Sequence, residues 1–318
     1  MKITVASCAF KQATDIDVEK VDSVELDSLA KTCISRAIDA LKAPTARYSE
    51  KDRFHMSRIF SDMKMTHHTI RFLLEKVEPS ESVVSLVLAR LQLEALYALC
   101  LMFEEACYVT RYLQDNWRKI YVAQLFRRVE CAGIERYDEY ERFSEVWVRA
   151  LRDDCGITEE QQRTVDLEEL GTALPLGMLA VPIEGFPTPG RIIGKIPRGG
   201  KRKMLMRLYP EYQHLSSFAH GLAEASLLRG MFDQHSGWPQ IVTSGKKEET
   251  FHKLVVGPAF STSYLGIVQS CTELTTLYPN DLELFAGVTA AWDYLTRGHL
   301  IGKAVWGLRT KDLLGAVV

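Results

Sequence analysis

Residues 83–103 read VVSLVLARLQLEALYALCLMF and form the most apolar window of the 318-residue chain. The window is as long as a membrane-spanning helix, but Arg90, Gln92 and Glu94 stand at its centre, where charges in lipid are costly. A helix that is apolar on most sides is usually buried by neighbouring elements of a globular protein. We therefore predict that this stretch is the central helix of a bundle and continues to about Asp115.

Amphipathic patterns on both sides of the window predict further helices. Before it, residues 50–77 carry apolar side chains near one face, and Pro79 ends the pattern. After it, the segments with helical periodicity are 116–131, 136–153, 158–170, 210–230, 250–277 and 280–296. The fold class that we predict is all-α: a multi-helix bundle with a long central helix, a Pro/Gly-rich basic loop and a C-terminal helical extension.

Composition divides the chain into three consecutive parts. Residues 1–49 are predicted to form an N-terminal arm and first helix, residues 50–232 the bundle core, and residues 233–318 the C-terminal helical extension. Within the core, residues 171–203 contain five prolines and seven glycines, a density that predicts an irregular loop without helix. A loop of this length inside a compact domain is often functional.

Charge and cysteine usage narrow the classes of function. The chain has 47% hydrophobic and 25% charged residues, and its net charge of −2 gives no general attraction to nucleic acid or membranes. Its seven cysteines are widely spaced and include no C-x-x-C pair, which argues against a disulfide framework and a structural zinc site. We predict a cytoplasmic protein with no metal, no cofactor and no membrane partner.

A polar stripe accompanies the apolar one in residues 205–228, LMRLYPEYQHLSSFAHGLAEASLL. If the helix begins at Pro210, then Tyr212, Ser216 and His220 fall within an arc of about 80°. A polar stripe beside a core stripe is either a site or a set of satisfied buried polar groups. The sequence leaves these two interpretations open.

Arg90 and Glu94 stand one turn apart on the predicted central helix and would share a face. A buried charge must be paired, so one interpretation is an ion pair that fixes the register of the helix. In the other, both groups point into a cleft with Tyr212, Ser216 and His220. Such a cleft could orient a phosphodiester and shuttle protons.

A group of cations closes the Pro/Gly-rich loop. No acidic residue interrupts it, and its members are Lys195, Arg198, Lys201, Arg202, Lys203 and Arg207. Such a group can neutralise phosphates in a salt-dependent way, and a solvated loop is the alternative. RNA bound by residues 195–207 is the partner that we predict from it.

The pattern Tyr212-x3-Ser216-x3-His220-Gly221, with Arg90-x3-Glu94 upstream, resembles a numbered bacterial helical family of unknown function. That family resembles the HEPN superfamily of α-helical domains, many of which are metal-independent ribonucleases of toxin–antitoxin and defence systems. The HEPN signature is an arginine and a histidine a few residues apart.

Arg207-x6-His214 meets this spacing, with Arg207 expected before the helix and His214 on it. The resemblance implies that a histidine acts as general acid and base near a ribose 2′-hydroxyl, and that an arginine holds the phosphate. The polar stripe favours His220 as that histidine, whereas the signature spacing favours His214.

Two functions are consistent with these patterns. The leading prediction is a HEPN-like domain that binds or cleaves RNA in stress or defence, as a metal-independent endoribonuclease if it is an enzyme. The alternative is a non-enzymatic helical interaction protein whose polar cluster is structural. A ribonuclease needs its arginine and histidine open to solvent near the basic stretch, often across a homodimer interface. A scaffold needs them buried and hydrogen-bonded to one another.

Overall fold

The computed structural model describes residues 23–130, 137–169, 183–220, 251–298 and 304–309. Within these ranges the chain forms α-helices and no strand, which confirms the all-α fold class. The helices are α1 (Ser23–Lys42), α2 (Glu50–Lys76), α3 (Pro79–Ser82), α4 (Val84–Glu104), α5 (Cys107–Glu130), α6 (Tyr137–Asp154), α7 (Glu159–Glu169), α8 (Pro189–Lys195), α9 (Gly200–Ala219), α10 (Gly257–Thr275) and α11 (Leu282–Gly298). A π-helical turn, His252–Val256, leads into α10, and residues 304–309 are also helical.

The helices form two compact units. The first unit combines Met1–Glu104 with Pro189–Val318, and the second is Glu105–Thr188. Among the described residues, the first unit therefore joins helices from the early and late parts of the sequence, whereas the three parts predicted from composition follow one another along the sequence.

Helix α4 is the centre of the first unit. It packs against α2, α8, α9 and α10, and side chains such as Leu93, Leu96 and Leu99 are fully buried. Among the described helices, the stretch Ser80–Glu104 is the one long and apolar enough to span a membrane, and 67% of its apolar 18-residue window is buried inside the protein. The predicted central core helix is confirmed, but it ends at Glu104 rather than near Asp115, and α5 begins separately at Cys107.

Helix α10 is the second core helix and is buried along most of its length. A Cβ atom at Gly266 would lie 3.2 Å from the backbone oxygen of Gln92 on α4, so glycine permits the two helices to approach closely. Buried hydroxyl groups bond back to their own helix, as Ser270 does to the carbonyl of Gly266 at 2.8 Å and Thr272 to that of Val268 at 2.7 Å. These hydroxyl groups are thus satisfied within the helix, which allows them to lie in the core.

Two predictions about the Pro/Gly-rich segment are wrong. Pro189–Lys195 is helical, because proline is tolerated at the first helical position. Helix α9 begins at Gly200, so Pro210 lies inside it instead of starting it. Met204, Leu205 and Leu208 precede the proline and are buried, and we attribute the continued helix to this packing, which offsets a proline penalty of about 3 kcal/mol. Residues 171–182 lie outside the described chain.

The second unit packs α5 against α6 and α7. Its core centres on Trp117, whose ring stacks on Tyr121 with centroids 4.7 Å apart. Gly156, with φ of 66°, ends α6 in the left-handed conformation that glycine adopts readily. A capping box begins α7: Thr158 and Gln161 exchange side-chain to backbone hydrogen bonds of 3.0 and 3.1 Å.

Candidate functional site

Arg90 joins α4 to α9. Its Nε donates to Ser216 Oγ at 3.0 Å, and its Nη2 donates to Glu94 Oε1 at 2.6 Å and to the Tyr212 hydroxyl at 3.4 Å. The Tyr212 hydroxyl donates in turn to the same Glu94 oxygen at 3.0 Å. The structure thus contains both the Arg90–Glu94 ion pair of one interpretation and the contact with Tyr212 and Ser216 of the other, and we call these four residues the Arg90 group. Their role in catalysis stays a prediction.

The Arg90 group is closed on itself. Ser216 Oγ also donates to the Tyr212 carbonyl at 2.8 Å, and the guanidinium carbon of Arg90 lies 5.5 Å from the centre of the Tyr212 ring. The side chains of Arg90 and Glu94 are 18% and 33% exposed. A phosphate could bind this guanidinium only by displacing partners that already neutralise and orient it. The arrangement is therefore better suited to holding two helices together than to binding a substrate.

His220 lies at the end of the polar stripe and outside the Arg90 group. Helix α9 ends at Ala219, and His220 is the capping residue whose backbone N–H donates to the Ser216 carbonyl at 3.2 Å. Its side chain is exposed. The predicted contact between Arg90 and the His220 ring is not found among the hydrogen bonds of the described chain. Arg90 bonds to Ser216 and Tyr212 instead.

Arg207 and His214 both lie on α9. The expectation that Arg207 precedes the helix is wrong, because α9 begins at Gly200. Seven residues of helix place the two side chains about 20° apart around the axis and about 10.5 Å apart along it. Arg207 is exposed, and the half-buried His214 ring meets the Phe218 ring edge-on at 5.3 Å. Lys203, one turn before Arg207, shares this face and is exposed.

The two candidate sites occupy different sides of α9. At 100° per residue, the direction midway between Tyr212 and Ser216 lies about 170° from the direction midway between Arg207 and His214. The polar stripe and the arginine–histidine pair therefore cannot line one narrow pocket. They must be considered as two separate groups.

Most of the predicted cations face solvent. Lys195, Arg198 and Lys203 are exposed, as is Arg207, and Arg202 is half-buried. Lys201 differs, because its side chain is only 14% exposed and its Nζ contacts Glu104 and, at 3.2 Å, Glu273. Lys201 is thus a structural cation in the first unit, and we call the exposed cations of this region the exposed basic face: Arg191, Lys195, Arg198, Lys203 and Arg207.

The chain matches no family model, no curated protein and no solved structure. The HEPN resemblance therefore rests on the quoted motifs alone and stays a prediction.

A buried ionic cluster around Glu273 was missed by sequence reasoning. Glu273 is fully buried and accepts hydrogen bonds from Arg309 Nε at 2.7 Å, Arg309 Nη2 at 3.0 Å and Gln269 Nε2 at 2.6 Å. Burial acts to lower the pKa of Lys201, but the nearby Glu273 and Glu104 carboxylates raise it overall, so the lysine is charged. One feature of the sequence indicates such a cluster: Glu273 is the lone charged residue of the described helix α10, and a buried charge needs a partner.

A second buried group links three helices of the first unit. His67 Nδ1 lies 2.8 Å from Ser263 Oγ, and His67 Nε2 lies 3.8 Å from Asp27 Oδ1. A serine, an imidazole and a carboxylate follow one another here, as they do in the catalytic triads of hydrolases. Ser263 is fully buried, however, so a substrate cannot reach its hydroxyl group. Burial lowers the pKa of His67 to about 4. The ring is therefore neutral at pH 7, and its approach to Asp27 is not a salt bridge.

Replacing Tyr212 with phenylalanine tests the Arg90 group. The change removes the hydroxyl that donates to Glu94, so we expect a loss of about 1 kcal/mol in the free energy of unfolding, measured with urea. Tyr209→Phe is the matched control. Its ring stacks on Tyr212 with centroids 6.0 Å apart and its hydroxyl lies beside Gly190, so we expect a change below about 0.5 kcal/mol. Equal losses in the two variants would contradict the network.

Proposed function

We propose that the protein binds RNA through the exposed basic face of α8 and α9, and that the Arg90 group has a structural role, holding α4 and α9 together. The observation that carries this proposal is the charge of residues 189–210, which contain seven cations and no acidic residue. Five of the seven are exposed: Arg191, Lys195, Arg198, Lys203 and Arg207. A local basic surface of this kind can bind phosphates even though the whole chain is slightly acidic.

The residues beside the exposed basic face favour RNA with unpaired bases as the ligand. Lys203 and Arg207 are one turn apart on α9, and the arginine fork can bind a phosphate with two parallel hydrogen bonds. Met206, which precedes Arg207 and lies to one side of the two cations, is 55% exposed, and the His214 ring follows on the face of Lys203 and Arg207. Unstacked bases stack on rings and pack against apolar side chains that lie beside cations. Single-stranded RNA is therefore the form that we propose.

If the HEPN resemblance extends to activity, Arg207 and His214 are the residues that we propose for cleavage of the RNA. Both are on the basic face, where a bound phosphodiester would lie, and the resemblance gives the arginine to the phosphate and the histidine to proton transfer. The Arg90 group is on the other side of α9 and is internally bonded. RNA binding does not depend on cleavage in this proposal.

A non-enzymatic interaction protein is the second candidate. The closed Arg90 group favours it, because a scaffold needs polar side chains bonded to one another rather than open to a substrate. In that case the exposed cations would keep the protein soluble or bind an acidic surface of a partner protein. A direct RNA-binding measurement separates the two candidates.

The test is the affinity of the full chain for labelled single-stranded RNA, measured by anisotropy over a range of salt concentrations. We expect Lys203→Gln combined with Arg207→Gln to weaken binding by about tenfold at low salt. The slope of log affinity against log salt should become shallower by about 1.4, since each phosphate contact on a single strand contributes about 0.7.

The matched control removes the same two charge types elsewhere. Arg58 and Lys64 are exposed on α2, so Arg58→Gln with Lys64→Gln should leave the affinity and the salt slope almost unchanged. Equal losses in the two double variants would mean that only net charge matters. Absence of RNA binding to the unaltered chain would favour the second candidate.

A further inference from the structure

A polar cavity lies within the second unit, between α5, α6 and α7. Its volume is about 160 Å³. The lining residues Tyr121, Gln124 and Val148 are each less than a tenth exposed, whereas Glu145 and Arg149 at its rim are exposed. The cavity thus has a buried floor and a charged entrance, and its lining residues all belong to the second unit.

Gln124 is the residue that points to a ligand. Its side chain is 7% exposed, and neither its amide oxygen nor its amide nitrogen has a hydrogen-bond partner in the described chain. Buried amides in folded proteins are nearly always bonded. A bound group that offers both one acceptor and one donor would satisfy Gln124, and another carboxamide is such a group.

Three other lining residues, Tyr121, Arg152 and Gln162, are held in place by hydrogen bonds. Arg152 Nη1 donates to Gln162 Oε1 at 3.3 Å, and Gln162 Nε2 donates to the Tyr121 hydroxyl at 3.0 Å. That hydroxyl donates to Asp166. Gln124 follows Tyr121 by three residues on the same side of α5 but has no part in this chain of bonds. The cavity is therefore organised before any ligand arrives, which reduces the ordering cost of binding.

The rim supplies opposite charges for the rest of a ligand. Arg149 stands four residues after Glu145 on α6, and both line the cavity. A guanidinium binds a carboxylate through two hydrogen bonds, and a carboxylate such as Glu145 binds an ammonium group. Arg152 is already bonded to Asp153 at 3.0 Å, so Arg149 is the principal carboxylate ligand.

We infer that this cavity binds a small amino acid with a carboxamide side chain, namely glutamine or asparagine. The side-chain amide pairs with Gln124, the carboxylate with Arg149 and the ammonium with Glu145. The volume is below the range of about 300–1,000 Å³ that holds drug-sized molecules, which fits a ligand of this size. This inference is independent of RNA binding, because it concerns the second unit alone.

Calorimetric titration of the full chain tests the ligand class. The probes are L-glutamine and L-asparagine, compared with L-alanine, which lacks the side-chain amide, and propionamide, which lacks both charged groups. We expect at least one of the two amide amino acids to bind at least about tenfold more tightly than either control probe. Failure of both to bind would overturn the inference and leave ordered water as the partner of Gln124.

Two variants and one control locate the site. Gln124→Met and Arg149→Gln should each weaken the binding by at least about tenfold, whereas Gln213→Met, at an exposed position on α9, should not. Gln124→Met should not lower the urea midpoint, because it removes two polar atoms that lack partners in the described chain. A lowered midpoint would indicate a structural amide, and unchanged affinity in either site variant would contradict the inference. Arg149 is exposed, so its variant keeps the test decisive if Gln124→Met does not fold.

Discussion

Replacing Glu273 with alanine is expected to lower the free energy of unfolding by about 3–5 kcal/mol, the usual cost of breaking a buried ion pair from one side. Glu273 is fully buried and receives two hydrogen bonds from Arg309, which is itself 4% exposed. Its removal leaves that guanidinium without its carboxylate in the core, and Lys201 keeps Glu104 but not Glu273 as an anionic partner. The destabilisation comes mainly from the weaker charge compensation of the buried Arg309 and Lys201, rather than from the hydrogen bonds that are removed.

Glu283→Ala is the matched control for Glu273. Glu283 pairs with Arg36, but both side chains are largely exposed, so we expect a loss of no more than about 1 kcal/mol. Urea unfolding of both variants gives the comparison. Glu273→Gln, which keeps the shape and one acceptor oxygen, provides a second measurement if the alanine variant does not fold. A loss at Glu273 no larger than that at Glu283 would show that the cluster does not stabilise the core.

Acidification should destabilise the protein through His67 by about 3 kcal/mol between pH 7 and pH 4. Burial lowers the pKa of His67 to about 4 in the folded state, whereas an unfolded histidine titrates near 6.5. Between these two values the unfolded chain binds more protons than the folded one. Stability is therefore complete above the unfolded pKa and is lost as the pH falls towards the folded pKa.

Urea unfolding at about pH 7 and about pH 4.5, a window that covers most of the interval between the two His67 pKa values, measures this contribution. The pH dependence of the unaltered protein is compared with that of His67→Gln and of His68→Gln, its exposed neighbour. We expect acidification to destabilise His67→Gln by about 2–3 kcal/mol less than the unaltered protein, and His68→Gln to follow the unaltered protein. The same pH dependence in both variants would show that His67 is not the group responsible.

Two acidic residues with shifted pKa values do not obscure the His67 result. Burial acts to raise the pKa of Asp27, but Lys31 and Arg71 lower it overall, so its contribution is lost only as the pH falls through that lowered pKa. Burial raises the pKa of Glu211 to about 7, and its contribution has the opposite sign, being lost as the pH rises through 7. Glu211 is present in both histidine variants, so the comparison cancels its contribution, and the lowered pKa of Asp27 places the loss of its contribution below the pH window that is measured.

Local patterns predicted the parts of the fold that depend on periodicity. Residues 83–103 are apolar around nearly the whole helix, and burial is the sole way to cover such a surface in water. Arg90 and Glu94 had to share a face, and Tyr212 and Ser216 had to share another. The sequence left open whether the two pairs meet, because Arg90 and Glu94 could satisfy each other within one helix, and the packing of α4 against α9 brings the pairs into contact.

The start of α9 shows where local rules fail. Pro210 is a strong local signal for the beginning of a helix, yet the buried Leu205 and Leu208 extend the helix back to Gly200. That single error placed Arg207 outside the helix. The distinction between the two faces of α9 could be made only once the true start was known.

Long-range ion pairs were beyond sequence reasoning for a different reason. Glu273 pairs with Arg309, 36 residues further on, and with Lys201, 72 residues earlier. Neither spacing is a helical period, and any of the 39 lysines and arginines could have served as a partner. A lone carboxylate in a buried helix indicates that some cation is near, but only the packing of α9, α10 and residues 304–309 identifies which.

The central claim is that α9 has a structural side and an RNA-binding side, and the most direct test measures RNA affinity and unfolding free energy in the same two variants. We predict that Tyr212→Phe lowers stability and leaves RNA affinity unchanged, whereas Lys203→Gln with Arg207→Gln weakens RNA binding by about tenfold and leaves stability unchanged. A loss of RNA affinity in Tyr212→Phe, with full affinity in the Lys203 and Arg207 variant, would contradict the claim.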